Sequence, residues 1–409
     1  MLITLCGLIV AMAGYSAANM ECLKDVNRST YLWSASRESA STSRAYLFGT
    51  IHVPYTEVWK DVSDRVHDAF AAADTVLLEL DLLDSTTLKK LTRCKRLKRG
   101  VTAKSYLPIL VYNRVEKFMK TFKSYLMEWA KREYQYRNDA YNLVTDIYQM
   151  VAAGWDRKKP EWLLFSLYQM CENILERPSS PTLDVYLAEK AANEKKTIRP
   201  LESADEQCHP VPSVSKDEII FAIGYTLDYL EWLYSNKQPF SHKKERSLSD
   251  IVKHYRCGSL DQDIFETGKS SKSLNYSAED DQRSKQIDAK IHTDIFVKRN
   301  ERIARRIKKE LDEKPNGRFF IAVGTGHFFG SGNILDWMRD LGYRIKQISN
   351  GDNIKLHTKK HNFKPLWKKD RLPQDNMQVE ITITVNGYQY KNHLLPFLVI
   401  IFLVIDLFR

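Results

Sequence analysis

Short all-apolar runs alternate along this chain with segments whose apolar residues recur every three or four positions. Tyr46-Leu-Phe48 reads as a buried strand stopping at Gly49, and Val58, Val62, Val66, Phe70 and Ala73 follow at helical spacing. Thr75-Val-Leu-Leu-Glu-Leu80 is a second buried strand, which predicts a βαβ unit with His52 at the carboxyl edge of a sheet. From about Val101 to Leu260 the pattern is mostly helical and rich in aromatics such as Trp155, Trp162, Tyr225 and Trp232, which the spacing assigns to packing.

The polar stretch Gly258 to Ser284 predicts a loop. A long helix then carries Ile287, Ile291, Ile295, Ile303, Ile307 and Leu311 on one face and ends at Pro315-Asn-Gly317. Arg318-Phe-Phe-Ile-Ala-Val323 is a buried strand, a helix begins near Asn333, and Tyr343-Arg-Ile-Lys-Gln-Ile348 is another strand. The predicted fold is α/β: two βαβ-type units contribute to a central sheet, with a largely helical middle region, in one domain over residues 30–350.

Both ends of the chain differ from this pattern. Residues 1–18 read as a secretory signal peptide, an apolar run followed by Ser16, Ala17 and Ala18, although no Lys or Arg precedes it. Residues 351–393 read as a basic, polar linker. Residues 394–409 are apolar again but hold Asp406 and fall short of the roughly 20 residues a spanning helix needs, so a short membrane anchor, a lipid-anchor signal and a buried element all stay open.

Export changes the meaning of the cysteines. With Cys6 in the leader, Cys22, Cys94, Cys171, Cys208 and Cys257 mature in an oxidising compartment; two disulfides among the last four are expected, with Cys22 as the spare thiol. Sequons at Asn27 and Asn275 fit a glycosylated chain facing the cell exterior. A net charge of +11 favours acidic partners, which for an exported chain are acidic lipids or sulfated glycans; no nucleic-acid motif is present.

The chemistry concentrates in Gly49-Thr-Ile-His52 and Gly324-Thr-Gly-His327, each following a buried strand in matching contexts. Neutral imidazole is the commonest metal ligand, and a glycine lets the backbone turn so that the ring faces a cleft. Two such segments suggest one shared metal. Glu79 interrupts an apolar strand, where an unpaired charge is costly, and is the leading further ligand or general base, with Glu202 second. Arg302 is a candidate for stabilising an oxyanion, and Arg299 and Asn300 for contacting substrate. The zinc-protease signatures His-Glu-x-x-His and His-x-x-Glu-His are absent.

Together, Tyr46-Leu-Phe-Gly-Thr-Ile-His-Val-Pro54, Leu78-Glu-Leu-Asp81, Glu202 with Glu206-Gln-Cys-His-Pro210, Lys298-Arg-Asn-Glu-Arg302 and Val323-Gly-Thr-Gly-His-Phe328 resemble the TIKI proteins, the animal branch of the TraB-like hydrolases. Gly154-Trp-Asp-Arg-Lys-Lys-Pro160 and Lys253-His-Tyr-Arg-Cys-Gly258 fit the same family. The resemblance implies a membrane-associated metalloprotease that removes an amino-terminal segment from Wnt ligands, with Mn2+ or Co2+ supporting activity. It also implies that His52, Glu79 and His327 are the metal and catalytic residues. The alternatives are a TraB-like hydrolase of another peptide and a non-catalytic binder of an extracellular ligand.

Overall fold

A computed structural model describes residues 22–25, 27–37, 45–133, 140–171, 181–236, 248–260, 276–352, 354, 382–385 and 388–391. The leader, the sequon at Asn275 and the tail 394–409 lie outside the described residues. Six strands form the central sheet: β1 (Ser29–Arg37), β2 (Ala45–Thr50), β3 (Thr75–Leu78), β4 (Thr197–Pro200), β5 (Phe319–Gly324) and β6 (Tyr343–Ser349). Their order is β4-β3-β5-β2-β1-β6. β5 is parallel to β2 and β3, and β3 to β4, while β1 runs antiparallel to β2 and β6.

Burial explains the order. Every residue of β3 and β5 is buried, as expected of parallel strands covered on both faces. β4, Thr-Ile-Arg-Pro, is largely exposed and ends in Pro200, which suits an edge.

Beyond the single helical turn Tyr55–Val58, the helices are α1 (Asp64–Ala72), α2 (Ser85–Cys94), α3 (Ile109–Glu133), α4 (Ala140–Val151), α5 (Pro160–Cys171), α6 (Leu183–Asn193), α7 (Ala204–Cys208), α8 (Lys216–Ser235), α9 (Leu248–Cys257), α10 (Ala278–His292), α11 (Lys298–Glu313) and α12 (Ile334–Asp340). They enclose two hydrophobic cores. One surrounds the sheet, taking Val66 and Phe70 from α1, Leu187 from α6 and Ile303 and Ile307 from α11. The other is formed by α3, α4, α5, α8 and α10, and includes Leu80, Leu82 and Ala204 just beyond β3 and β4. The helical layer therefore continues from the carboxyl edge of the sheet. Among the described residues no helix is long and apolar enough to cross a membrane.

Several expectations change. β2 and β3 are joined through α1 as a βαβ unit, but β5 lies between them. In the second unit, β6 lies beyond β2 and β1 from β5 and pairs with β1. The expected loop up to Ser284 is already helical from Ala278. The long helix is interrupted by a π-helical turn at Thr293–Val297. Buried Asp294 stabilises that turn, accepting from the Ser213 N–H (2.8 Å) and Oγ (2.6 Å) and from Lys298 Nζ (2.7 Å). Within 351–393, Thr382–Val385 (β7) pairs antiparallel with Tyr388–Lys391 (β8).

The disulfides also correct the reading. They are Cys22–Cys257 and Cys94–Cys208, so Cys22 is bonded, tying the first described residues to the end of α9. Sequence shows which cysteines exist, whereas pairing requires the Cα approach that folding creates, here 5.3 and 5.6 Å. Cys94–Cys208 joins α2 to α7 across a separation of 114 residues. Cys94→Ser with Cys208→Ser is expected to lower stability by about 2–4 kcal/mol, read by urea unfolding. An unchanged midpoint would show that α7 is held by its other contacts alone.

Candidate metal centre

The register of the sheet brings four predicted residues to one edge. Thr50 lies opposite Gly324, and Leu78 lies opposite both Ala322 and Pro200. His52, His327, Glu79 and Glu202 each follow these strands within three residues. They form a row at the carboxyl ends of β2, β5, β3 and β4, and all four are buried. Neither Gly49 nor Gly324 has positive φ, so a sharp turn is not their role. A Cβ on Gly49 would meet the Thr325 methyl at 3.3 Å, so glycine permits close approach of the two histidine segments. Thr325 Oγ1 donates across that contact to the Thr50 carbonyl.

Each imidazole is oriented through Nδ1. Asn300 Nδ2 donates to the Gly332 carbonyl (2.9 Å), which turns Oδ1 of the same amide toward His327 Nδ1 at 2.5 Å. His327 Nδ1 therefore donates in this bond, which fixes the orientation of the ring. His52 Nδ1 lies 2.7 Å from Asp184 Oδ2, while Thr50 Oγ1 donates to the other oxygen at 2.5 Å. An oxygen acceptor behind each imidazole is the arrangement that metal-ligating histidines use. Tyr255 adds a strut, its hydroxyl donating to the Gly49 carbonyl at 2.7 Å; burial keeps this phenol neutral by raising its pKa well above the ordinary value.

The carboxylates are held differently. Glu79 Oε1 accepts the Gly324 N–H at 2.7 Å, and Oε2 accepts from Arg299 Nη2 at 3.0 Å. Glu202 accepts from Arg299 Nη2 (2.6 Å) and Nε, from Gln207 Nε2 (3.1 Å) and, at 3.4 Å, from Arg302 Nη2. Burial pushes the Glu202 carboxyl up, but Arg299 outweighs it and leaves the pKa below the ordinary value. Glu202 is thus an ion-paired anchor for Arg299. Asn300 and Arg299, expected to meet substrate, are engaged with His327 and with the two glutamates. Arg302 is half-exposed and is shared between Glu202 and Glu206.

Among the described residues no group of three or more His, Cys, Asp and Glu is arranged to hold one metal ion. Glu79 accepts from Arg299 Nη2 and from the Gly324 amide. The donor chemistry still suits a divalent ion, because two imidazoles stand on neighbouring strand ends with acceptors behind both. His52 and His327 are the residues that would hold it.

Sequence reasoning missed Asp184. It lies on the buried stripe of α6 with Leu183, Leu187, Ala188 and Ala191, and an acid on such a stripe is itself a signal of an internal partner. Glu206 closes the edge, forming a capping box with Ser203 and pairing with Arg306 at 2.7 Å. The Arg306 hydrogen bond is the main cause that holds its pKa at about 2, against 4.5 ordinarily. This depressed carboxylate stabilises the fold above about pH 4.5, and the contribution is lost as pH falls toward 2. Glu206 is partly exposed, its side chain 23% accessible, so solvent weakens the pair. Arg306→Ala is expected to raise the acid-unfolding midpoint slightly and to leave stability above pH 7 changed only by the lost pair; an unmoved midpoint would remove Glu206 from acid stability.

The profile of the TraB/PrgY/gumN family matches residues 31–347. Over 326 residues the chain is 31% identical to a protein of Nematostella vectensis named Metalloprotease TIKI homolog, covering 79% of this chain and 68% of the relative. It is 34% identical over 328 residues to Metalloprotease TIKI2 of Danio rerio, covering 79% and 61%, and 32% identical over 342 residues to human Metalloprotease TIKI1, covering 82% and 65%. The chain thus spans around two thirds of these relatives' lengths. No solved structure matches it.

Proposed function

The chain belongs to the TraB/PrgY/gumN family and, within it, to the TIKI metalloproteases, and from that premise we propose that it cleaves the amino-terminal region of secreted Wnt ligands and so restrains their signalling. The observation that carries the catalytic part is the pair of imidazoles, His52 and His327, oriented by Asp184 and Asn300 at adjoining strand ends. Mn2+ or Co2+ is the proposed ion; when bound, a divalent ion supplies Lewis acidity toward a peptide carbonyl and acidifies water. His52 and His327 are the residues that would hold it. Glu79 moves the proton, with Arg299 holding its carboxylate and Glu202 keeping Arg299 in place. Arg302, at the exposed side of Glu202, is the guanidinium best placed to meet substrate charge.

Two disulfides among the described cysteines support maturation in the secretory pathway, and exposed Asn27 is open to glycosylation. The protein is proposed to act at the cell membrane, facing outward, attached through its apolar tail. The test is mass spectrometry of Wnt ligands incubated with the full chain. Loss of an amino-terminal segment, abolished by chelator and restored by Mn2+ or Co2+, is expected. Intact ligands beside chelator-sensitive cleavage of other peptides would overturn the Wnt assignment. Stoichiometric capture without cleavage would overturn catalysis.

Glu79→Gln is expected to lower kcat at least about a hundredfold in a folded protein, because the amide cannot take a proton. Wild-type turnover in single-turnover measurements would remove Glu79 from the mechanism.

A further inference from the structure

Between Ser85 and Val115 the chain carries nine Lys or Arg and no Asp or Glu. Cys94-Lys-Arg-Leu-Lys-Arg-Gly100, within it, is dense enough in cations to meet a polyanion. Lys89, Arg93, Arg96, Lys98, Arg99 and Arg157 are exposed and make no ion pair among the described residues. Lys90, by contrast, is paired with Asp205, and Lys95 is buried over the Trp162 ring, 4.9 Å from its centroid.

The fold gathers the six exposed cations into one stripe. On α2, Leu91 is buried and Cys94 is bonded to Cys208, which fixes the rotation of the helix. Lys89 and Arg93, one turn apart, take the opposite side, and Arg96 continues their row. Residues 95–97 and 157–159 then run side by side. The Leu97 N–H donates to the Arg157 carbonyl at 2.8 Å and the Lys159 N–H to the Lys95 carbonyl at 2.9 Å, which brings Arg157 next to the row. Gly100, at φ 83°, closes the turn that carries Lys98 and Arg99, with the Val101 N–H donating to the Lys98 carbonyl at 3.0 Å. Asp156 adjoins Arg157, so six cations are set against one acid, a surplus of five.

We propose that this stripe binds a sulfated glycosaminoglycan chain of the cell exterior. Four of the six cations are Arg, whose guanidinium meets an oxyanion such as sulfate through two parallel N–H bonds. Fixed on a helix, a ladder and a turn, they present a row that a linear polyanion can follow without reordering the backbone. A protein partner would bury an apolar centre, whereas between Arg96 and Arg99 the one apolar residue, Leu97, is half-buried. The inference rests on the outward-facing location proposed above and is independent of proteolysis.

The test measures binding of the full chain, in nonionic detergent, to heparin across a salt series. Chelator is present throughout, so the metal site plays no part. Binding a polyanion releases its condensed counterions, so each lost contact lowers the salt slope by about one. Lys98→Glu with Arg99→Glu should lower the slope by about two and weaken binding at low salt at least about tenfold, with an unchanged thermal unfolding midpoint. Lys89→Gln with Arg93→Gln, a milder change, should weaken binding severalfold. Lys314→Glu with Arg344→Glu, a charge-matched control at the end of α11 and on β6, should change it far less, and desulfated heparin should bind weakly. Equal binding by wild type and both stripe variants would assign heparin to the basic linker 351–393 and overturn the proposal. So would an equal loss in the control, which makes net charge the cause, or equal affinity for polyglutamate, which makes an acidic protein the partner. A wild-type chain that heparin does not bind would overturn it outright.

Discussion

His327→Ala is expected to abolish chelator-sensitive proteolysis while leaving a folded protein, and His52→Ala is expected to do the same. Both rings are buried, and each is fixed through Nδ1, by Asn300 at 2.5 Å and Asp184 at 2.7 Å. A histidine serving only the core would lose packing and fold stability on truncation; one that serves a metal loses turnover first. Two controls separate these roles. Asp184→Asn leaves His52 in place but removes the carboxylate behind it, and should weaken metal binding about 10–100-fold. The unfolding midpoints of the histidine variants should stay near wild type in the presence of chelator. Normal turnover by either alanine variant would end the shared-site account, and collapse of the fold in both would return the histidines to a structural role.

Arg299→Met is expected to cost about 3–5 kcal/mol of stability, the scale for removing one partner of a buried ion pair. The Glu202 side chain is fully buried and Glu79 nearly so, and one guanidinium stands between them with contacts of 2.6 and 3.0 Å. Taking it away strips Glu79 of this guanidinium and leaves Glu202 facing the half-exposed Arg302 at 3.4 Å. Adding Glu202→Gln to Arg299→Met should recover part of the loss, because the remaining charge is then single; urea unfolding of the four proteins of this cycle reads the coupling. Equal midpoints for Arg299→Met and wild type would show that water compensates the carboxylates.

Much of this site is legible in the amino-acid sequence alone. The two Gly-x-x-His segments and the acid inside Val76-Leu-Leu-Glu-Leu80 stand out because buried strands are built of apolar residues, so a charged or imidazole side chain inside or just past one signals chemistry. Other parts are hidden for physical reasons. β1, Ser-Thr-Tyr-Leu-Trp-Ser-Ala-Ser-Arg, buries Thr30 and Ser34 through bonds to carbonyls of β6, so its core positions do not look apolar. β4 is four residues long and mostly exposed, with no hydrophobic period to detect. The π turn at Thr293–Val297 depends on a partner 81 residues away, Ser213, which no local pattern contains. The roles of Arg299 and Asn300 are hidden for the same reason. Sequence shows a guanidinium and an amide on a helix, and only the fold supplies the glutamates and the imidazole that occupy them.

The most direct measurement is a titration of the chain with Co2+, followed by visible absorption and by metal content after gel filtration, for wild type, His52→Ala and His327→Ala. If both imidazoles hold one ion, wild type develops a saturable ligand-field spectrum, and each single variant loses it together with retained metal. Full retention with an unchanged spectrum in both folded variants would place the metal elsewhere and contradict the account.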